Sequence, residues 1–186
     1  MELIPSFEPV WLGGWLPLTF AFTIQWMLLF SMPKEVFARL FDRKGWSKKQ
    51  RVYFRLGKLA SVICLVFLCF APLKTGSVIF LTGSCVSLTG LVGIVIFLFN
   101  YRDTPLDQPV TKGLYRISRH PQIVSTTLVV LGVCMAVGSG MAVLFLLIAK
   151  ILEHHGILAE EKACLEQYGA PYKAFLEKVP RYFLFF

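Results

Sequence analysis

Uncharged apolar stretches alternate with short basic segments along most of the chain. Residues 11–32 contain no charged residue, residues 59–73 are also uncharged, and residues 77–99 form a third such stretch. A helix needs about 20 consecutive apolar residues to cross the hydrocarbon core of a bilayer. The pattern therefore predicts three membrane-spanning helices. The second covers residues 56–73 if Lys58 extends its amine to the membrane surface.

The fourth apolar stretch, residues 123–152, is interrupted by Gly138, Ser139 and Gly140. It is too long for one span and too short for two full ones, so it predicts a tight hairpin of two short helices. The predicted fold is all-α: a polytopic membrane helical bundle of about five transmembrane helices, with a short fourth–fifth hairpin and a cytoplasmic C-terminal helical segment. We expect residues 1–186 to form a single domain. Its first three spans lie in residues 1–100, and its cofactor-binding and catalytic part lies in residues 101–186.

The distribution of charge predicts how the chain is oriented. Hydrophobic residues make up 56% of the chain and charged residues 16%, a composition typical of membrane proteins. All Lys and Arg residues except Lys74 lie in residues 34–58, 102–119 and 150–181, and the positive-inside rule places these segments in the cytoplasm. We expect an integral protein of a prokaryotic inner membrane, with its N-terminus outside and its C-terminus in the cytoplasm. The chain starts without the basic segment of a signal peptide and carries Glu2 and Glu8 instead.

The net charge of +8 indicates a partner with negative charge. Because the basic residues are divided among three segments, they favour anionic lipid headgroups over nucleic acid. Residues 33–55 alternate apolar and basic positions at helical spacing, which predicts a helix in the membrane interface. The five cysteines have no CxxC spacing, so the sequence implies neither a disulfide framework nor a metal site.

The third stretch is rich in small residues, which allow helices to approach closely in lipid. These residues are Gly83, Ser84, Ser87, Gly90 and Gly93. We therefore expect this span to lie centrally in the bundle.

The segment GLYRISRHP, residues 113–121, lies immediately before the fourth apolar stretch. Proline suits the first turn of a helix and disfavours helix at the residue before it, so the fourth span is predicted to begin at Pro121. Unpaired N–H groups and the positive end of the helix dipole at that point attract a carboxylate or a phosphate. Arg119 and His120 add side-chain donors. In the alternative interpretation, Arg119 anchors to headgroups and His120 caps the helix.

An acidic helical segment follows the hairpin. On a continuous helix, Glu153, Gly156 and Glu160 share one face, with His154 and Glu161 on the neighbouring face. Gly156 predicts an indentation between two carboxylates where a ligand can approach. The alternative is that the carboxylates form a solvated face in headgroup water. The helix is predicted to end near Gly169.

A second, short helix is predicted after Gly169, beginning at Ala170-Pro171. The aromatic residues of the C-terminal segment 179–186 are predicted to dock back on the bundle or the interface.

Together, residues 113–121 and the acidic segment with Glu160 and Glu161 predict a pocket that faces the cytoplasm. One end of the pocket suits a carboxylate and the other suits a cation. S-adenosylmethionine (SAM) matches both ends, because it carries a carboxylate, an ammonium and a sulfonium. NADPH matches less well, since Glu160 and Glu161 would repel its phosphates.

The order G-x-Y-x-x-x-R-H-P, hairpin, E-E, Y-G-x-x-Y and x-P-R over residues 110–183 resembles the small integral-membrane methyltransferases. That group includes isoprenylcysteine carboxyl methyltransferases and phospholipid N-methyltransferases. The resemblance implies a SAM pocket between the start of the fourth span and the helix after the fifth. The residues implied to hold the cofactor are Tyr115, His120, Pro121, Glu160 and Glu161, and we add their neighbours Arg119 and Gln122.

The predicted reaction is SAM-dependent methyl transfer to a membrane-resident lipidic acceptor at the cytoplasmic face. We expect Glu160 to orient the acceptor or take its proton and Glu161 to bind the cofactor, although these roles are exchangeable. His154 is the second catalytic candidate. No metal is expected to take part.

The acceptor is either a phospholipid amine or a prenylcysteine-like carboxylate. Gly156 stands where prenylcysteine enzymes are expected to carry an arginine for the acceptor carboxylate, which disfavours that substrate unless His154 or His155 substitutes. Ile123 stands where the family often has tyrosine.

Two other functions remain open at this point. Membrane sterol reductases share the RHP and YGxxY motifs and bind NADPH, and a non-catalytic scaffold or small transporter is the third possibility. Against a transporter, the polar residues gather at one membrane face rather than at the midplane.

Overall fold

The computed structural model describes residues 2–3, 11–43 and 45–183 of the chain. These residues form seven α-helices and a short 3-10 turn, with isolated bridges as their only β pairing. The helices are α1 (Trp15–Phe30), α2 (Lys34–Leu40), α3 (Lys48–Cys69), α4 (Val78–Arg102), α5 (Pro121–Val137), α6 (Gly140–Tyr168) and α7 (Ala170–Lys178), and the 3-10 turn is Gly113–Arg116. The predicted all-α class is confirmed for this part of the chain. The predictions for Glu8 and for residues 184–186 lie outside it.

Three of the helices are long and apolar enough to cross a membrane, judged by length and composition. They are α3, α4 and α6. The helices α1 and α5 are also apolar, but at 16 and 17 residues they are shorter than a comfortable span.

The hairpin between α5 and α6 forms where the sequence predicts it. α5 begins at Pro121 and is followed by Gly138, whose φ of 75° is accessible to glycine without strain. The Ser139 hydroxyl then accepts a hydrogen bond from the backbone N–H of Ala142 at 3.2 Å and caps α6. α6 continues to Tyr168, and α7 carries Pro171 in its first turn, so the predicted ends near Gly169 and Ala170 are also confirmed.

The second apolar helix begins earlier than predicted, at Lys48 instead of residue 56. A reciprocal capping box causes this: the Ser47 hydroxyl accepts from the Gln50 N–H at 3.2 Å, and the Gln50 side chain accepts from the Ser47 N–H at 2.9 Å. The basic residues before residue 56 therefore form the first turns of α3. Of the segment predicted to form an interfacial helix, residues 34–40 form α2, but Val36, Phe37 and Leu40 pack in or against the protein core, and the position in a membrane interface stays a prediction.

α4 packs closely against α5 through small residues, as predicted. A Cβ atom on Gly83 would lie 2.5 Å from the carbonyl oxygen of Gly132, and one on Gly90 would lie 2.6 Å from the Val129 nitrogen. The backbones therefore touch, and a larger side chain at these positions would separate the helices.

α3 packs along α6 and buries Glu153 between them. The Glu153 carboxylate is 2.8 Å from the amine of Lys58 and 2.7 Å from that of Lys150. Lys58, which was expected to extend to the membrane surface, thus also pairs with Glu153 and joins α3 to α6.

The hydrophobic core has two parts, and one of them supports the polar end of the bundle. That part combines residues of α1, α4 and α5 with residues of the 3-10 turn, α2, α7 and the segment after α7. Its buried members are Ala21, Leu29, Met32, Val36, Leu91, Ile94, Phe97, Leu98, Tyr115, Val129, Tyr172, Phe175 and Val179. This apolar base holds the start of α5 beside the charged end of α6.

Candidate active site

A buried carboxylate, Glu161, lies at the centre of the polar end and is 7% exposed. Its Oε1 accepts hydrogen bonds from Arg119 Nη1 at 3.2 Å and Arg181 Nε at 3.0 Å, and lies 3.3 Å from His120 Nε2. Its Oε2 accepts from Arg181 Nη2 at 2.8 Å. The basic segment before α5 and the acidic segment of α6 therefore converge, as the sequence predicts.

These contacts determine the ionisation of Glu161. This residue follows the mostly apolar part of α6, residues 140–152. Burial alone would raise the pKa of the carboxyl, but hydrogen bonds from His120 and Arg181, together with their charges, lower it to about 2. In return, the hydrogen bond and charge of Glu161 raise the pKa of Arg181. Glu161 is therefore ionised throughout the physiological pH range.

Arg119 fastens the C-terminal segment to the start of α5. Its Nε donates to the Val179 carbonyl and its Nη2 to the Leu176 carbonyl, each at 2.6 Å, while its own N–H donates to Pro180 O at 3.0 Å. The residue is only 9% exposed, which excludes the interpretation in which it anchors to headgroups. The docking predicted for the C-terminal segment is confirmed up to Tyr182, whose hydroxyl lies 2.8 Å from His154 Nδ1, whereas Phe183 is exposed.

His120 occupies the N-cap position of α5 without capping it. Its side chain makes no cap hydrogen bond, because the ring turns toward Glu161 instead. Pro121 is buried in the first turn, and Gln122 is half-buried beside it. The first turn of this 17-residue helix therefore has no side-chain acceptor among the described residues, and its positive end remains suited to an anion.

Glu160 differs sharply from its neighbour. It is exposed, and within the described part of the chain its carboxylate makes no hydrogen bond or ion pair. It lies close enough to Tyr115 and Tyr172 to affect their ionisation: burial raises the pKa of both hydroxyls, and nearby groups, including Glu160, raise it further. A carboxylate beside neutral phenols can accept hydrogen bonds or hold a cation.

Tyr115 is positioned by the 3-10 turn that contains it. Gly113 begins this turn with a φ of 58°, and a Cβ there would collide with the side-chain amide of Asn100. Asn100 Nδ2 is itself buried, and it has no hydrogen-bond partner among the residues described. The glycine of the GLYR motif is thus required both by its backbone conformation and by close packing.

The predicted indentation at Gly156 is wrong. A Cβ atom at this position would lie 2.9 Å from the Trp46 ring and 3.1 Å from the Phe54 ring, so aromatic side chains already fill the space. Sequence spacing along α6 could not reveal this, because Trp46 comes from the distant segment between α2 and α3.

His154 lies near the site without touching the glutamate pair. Its Nδ1 is 2.8 Å from the Tyr182 hydroxyl, so it contacts the C-terminal segment that Arg119 holds. Of the residues predicted for the site, the structure brings His120, Arg119 and Glu161 into direct contact and places Glu160 and Tyr115 nearby.

Two arginines of this region were not assigned by sequence. Arg181 belongs to the x-P-R motif, which was a usable signal, and it supplies two hydrogen bonds to Glu161. Arg39 of α2 had no such signal. It donates to the Tyr101 hydroxyl at 3.1 Å and to the Pro105 carbonyl at 2.9 Å, and this links α2 to the end of α4.

The fold and this site define a helical integral membrane protein with a polar site at one end of its bundle. A family model described as phospholipid methyltransferase matches residues 72–171, more than half of the chain. The chain belongs to the phospholipid methyltransferase family. Comparisons with curated proteins and with solved structures found no match. The match includes α5, α6 and both glutamates, and it ends before Arg181.

Proposed function

We propose that the chain transfers a methyl group from SAM to the amine of a membrane phospholipid at the cytoplasmic face. The family supports methyl transfer to a lipid. The observation that carries the proposal further is the contrast within the glutamate pair. The Glu161 carboxylate contacts the three basic side chains of Arg119, His120 and Arg181. The Glu160 carboxylate, on the adjacent residue, is exposed and can contact a ligand.

The residues present suit SAM as the methyl donor. The uncapped start of α5 and His120 match a carboxylate, and the Glu160 carboxylate matches an ammonium or a ribose hydroxyl. When bound, SAM would supply a methyl group on a positively charged sulfur, already activated for transfer. The proposed cofactor residues are Tyr115, Arg119, His120, Pro121, Gln122, Glu160 and Glu161.

Glu160 is the proposed catalytic residue. An amine acceptor must approach as the neutral, unprotonated form, so a carboxylate that takes or directs its proton assists the reaction. Glu161 is better suited to position Arg119, His120 and Arg181 than to handle protons, because its low pKa keeps it ionised. His154 remains the second catalytic candidate.

The surroundings of Gly156 favour an amine over a prenylcysteine-like carboxylate. Trp46 and Phe54 occupy the space where an acceptor-binding arginine was expected. His155, one of the two proposed substitutes, stacks on Tyr53 with ring centroids 4.3 Å apart. Neither feature offers a carboxylate site at this point.

The membrane topology is part of the same proposal. We propose five crossings, with the short helices α1 and α5 spanning alongside α3, α4 and α6, and with the site on the cytoplasmic side. The arrangement of basic segments supports this orientation. The single-domain organisation with its catalytic part in residues 101–186 also stays a prediction.

The proposed reaction can be tested with detergent-purified protein and mass spectrometry. Protein, SAM and phosphatidylethanolamine should yield lipid that is about fourteen daltons heavier per methyl group, while a prenylated cysteine should remain unchanged. Glu160→Gln should reduce product formation strongly. Glu166→Gln, a matched exposed carboxylate on the same helix, should not.

The alternatives make different predictions in this assay. A reductase would consume NADPH, and the lipid would not gain the mass of a methyl group. A non-catalytic scaffold would give no product with any lipid, and equal product from Glu160→Gln and the wild type would remove Glu160 from the mechanism.

A further inference from the structure

A basic surface cavity lies between the end of α2 and the first turns of α3. It has a volume of about 410 Å³, and its lining consists of Asp42, Arg43, Trp46, Arg51, Phe54 and Arg55. Three guanidinium groups therefore share one cavity with a single carboxylate. Ligand sites commonly have volumes of about 300–1,000 Å³, and this cavity falls within that range.

The aromatic part of the cavity is rigidly supported. The Trp46 and Phe54 rings meet edge to face with centroids 5.3 Å apart, and both rings contact α6 at Gly156. The Arg43 guanidinium lies 4.3 Å from the Phe54 ring centroid. The aromatic wall of the cavity is therefore held in place by contacts within the protein, which reduces the entropic cost of binding against it.

Most of the arginine donors in the cavity remain available. Arg51 uses only its Nε, which donates to the Trp46 carbonyl at 3.2 Å. Arg43 contacts aromatic rings, and in the described chain Arg55 makes no hydrogen bond or ion pair. Each guanidinium presents paired N–H groups that match two phosphate oxygens, which a lysine amine cannot do.

The electrostatics of α3 also favour an anion here. Arg51 and Arg55 are four residues apart on one helix, so their like charges repel each other. The first turn of α3 contains no acidic residue and carries Lys48 and Lys49 at the positive end of the helix dipole. A bound anion would offset both unfavourable interactions.

We propose that this cavity binds a phosphate group, with Arg43, Arg51 and Arg55 donating to its oxygens. Trp46 and Phe54 support the non-polar part of the molecule that carries it. The phosphate can belong to a phospholipid headgroup or to a soluble phosphate, since both present the same oxygens. The inference is independent of methyl transfer, because none of these residues belongs to the proposed active site.

Calorimetric titration of the detergent-purified full chain tests the site with three probes. These are inorganic phosphate, short-chain phosphatidic acid and the corresponding phosphate-free diacylglycerol. Arg43→Gln combined with Arg55→Gln should weaken phosphate binding more than about tenfold, because charge-assisted hydrogen bonds are lost. The matched control, Lys34→Gln with Lys173→Gln, removes the same charge from exposed residues outside the cavity and outside α3, and should change affinity less than about twofold.

Each outcome of this titration is decisive. Binding of phosphatidic acid alone supports a lipid headgroup, and competition by inorganic phosphate supports a soluble source as well. Equal binding of the diacylglycerol, absence of binding by both phosphate probes, or equal losses in the two double variants would overturn the proposal. Arg55→Gln alone removes no internal contact, so unchanged phosphate affinity in this variant would overturn it even if the double variant does not fold.

Discussion

Two adjacent glutamates at the charged end of α6 have opposite surroundings. Glu161 is buried and bonded to Arg119, His120 and Arg181, whereas Glu160 is exposed and, among the described residues, unpaired. A helix rotates by about 100° per residue, so neighbours in sequence can face the protein interior and an open site. Two adjacent carboxylates can therefore have different roles: Glu161 holds the surrounding basic residues together, and Glu160 remains available to a ligand.

The largest expected difference between the two positions is in stability. Glu161→Ala leaves Arg119 buried without its counter-charge, which should cost about 3–5 kcal/mol of unfolding free energy. Glu160→Ala should cost less than about 0.5 kcal/mol, as for an ordinary surface substitution. Thermal unfolding of both variants in detergent measures this contrast. Similar losses in the two variants would contradict the division of roles.

The contribution of Glu161 should also depend on pH. Its pKa is about 2 in the folded protein and its ordinary value is 4.5, so folding favours the ionised form. The stability advantage of the wild type over Glu161→Gln should be complete above about pH 4.5 and disappear as the pH falls to about 2. Unfolding midpoints of both proteins across this range provide the measurement. An advantage that persists at pH 2 would show that the charge of Glu161 is not its source.

Arg119→Lys tests whether the shape of the guanidinium matters as well as its charge. Lysine retains the charge near Glu161, but it cannot reach the Leu176 and Val179 carbonyls together, so the loss should be about 2 kcal/mol. Increased proteolysis of the C-terminal segment should accompany the loss. If Arg119→Lys is as stable as the wild type, the segment is held by other contacts.

Gly113→Ala should produce a smaller but specific effect. The positive φ of this residue costs a non-glycine residue about 1–2 kcal/mol, and the new Cβ would displace Asn100. Because Tyr115 lies in the same turn, methyl transfer should fall more than stability does. Arg116→Ala, an exposed neighbour in that turn, serves as the control and should leave both quantities nearly unchanged.

Local residue patterns predicted the elements that build the site. The start of α5, the hairpin and the end of α6 could be predicted, because each depends on the backbone conformation of a single residue. These residues are Pro121, Gly138 and Gly169. The meeting of His120 with Glu161 was also predictable, because the hairpin returns α6 to the start of α5.

Contacts from distant segments could not be predicted in this way. Trp46 fills the space beside Gly156, and Arg181 supplies two of the hydrogen bonds to Glu161. Both depend on tertiary packing that spacing within one helix does not reveal. The early start of α3 had a local signal in Ser47 and Gln50, but the basic residues around them favoured a surface segment instead.

If SAM binds as proposed, Glu160 and the uncapped start of α5 hold one zwitterionic cofactor together. Isothermal titration of SAM into the detergent-purified wild type, Glu160→Gln, His120→Ala and the control Glu166→Gln measures whether both groups contribute. We predict that the wild type and Glu166→Gln bind SAM equally, while Glu160→Gln and His120→Ala each bind at least about tenfold more weakly because a charged hydrogen bond is lost. Equal SAM affinity in all four proteins, or no binding by a folded wild type, would show that Glu160 and the start of α5 do not form a SAM site.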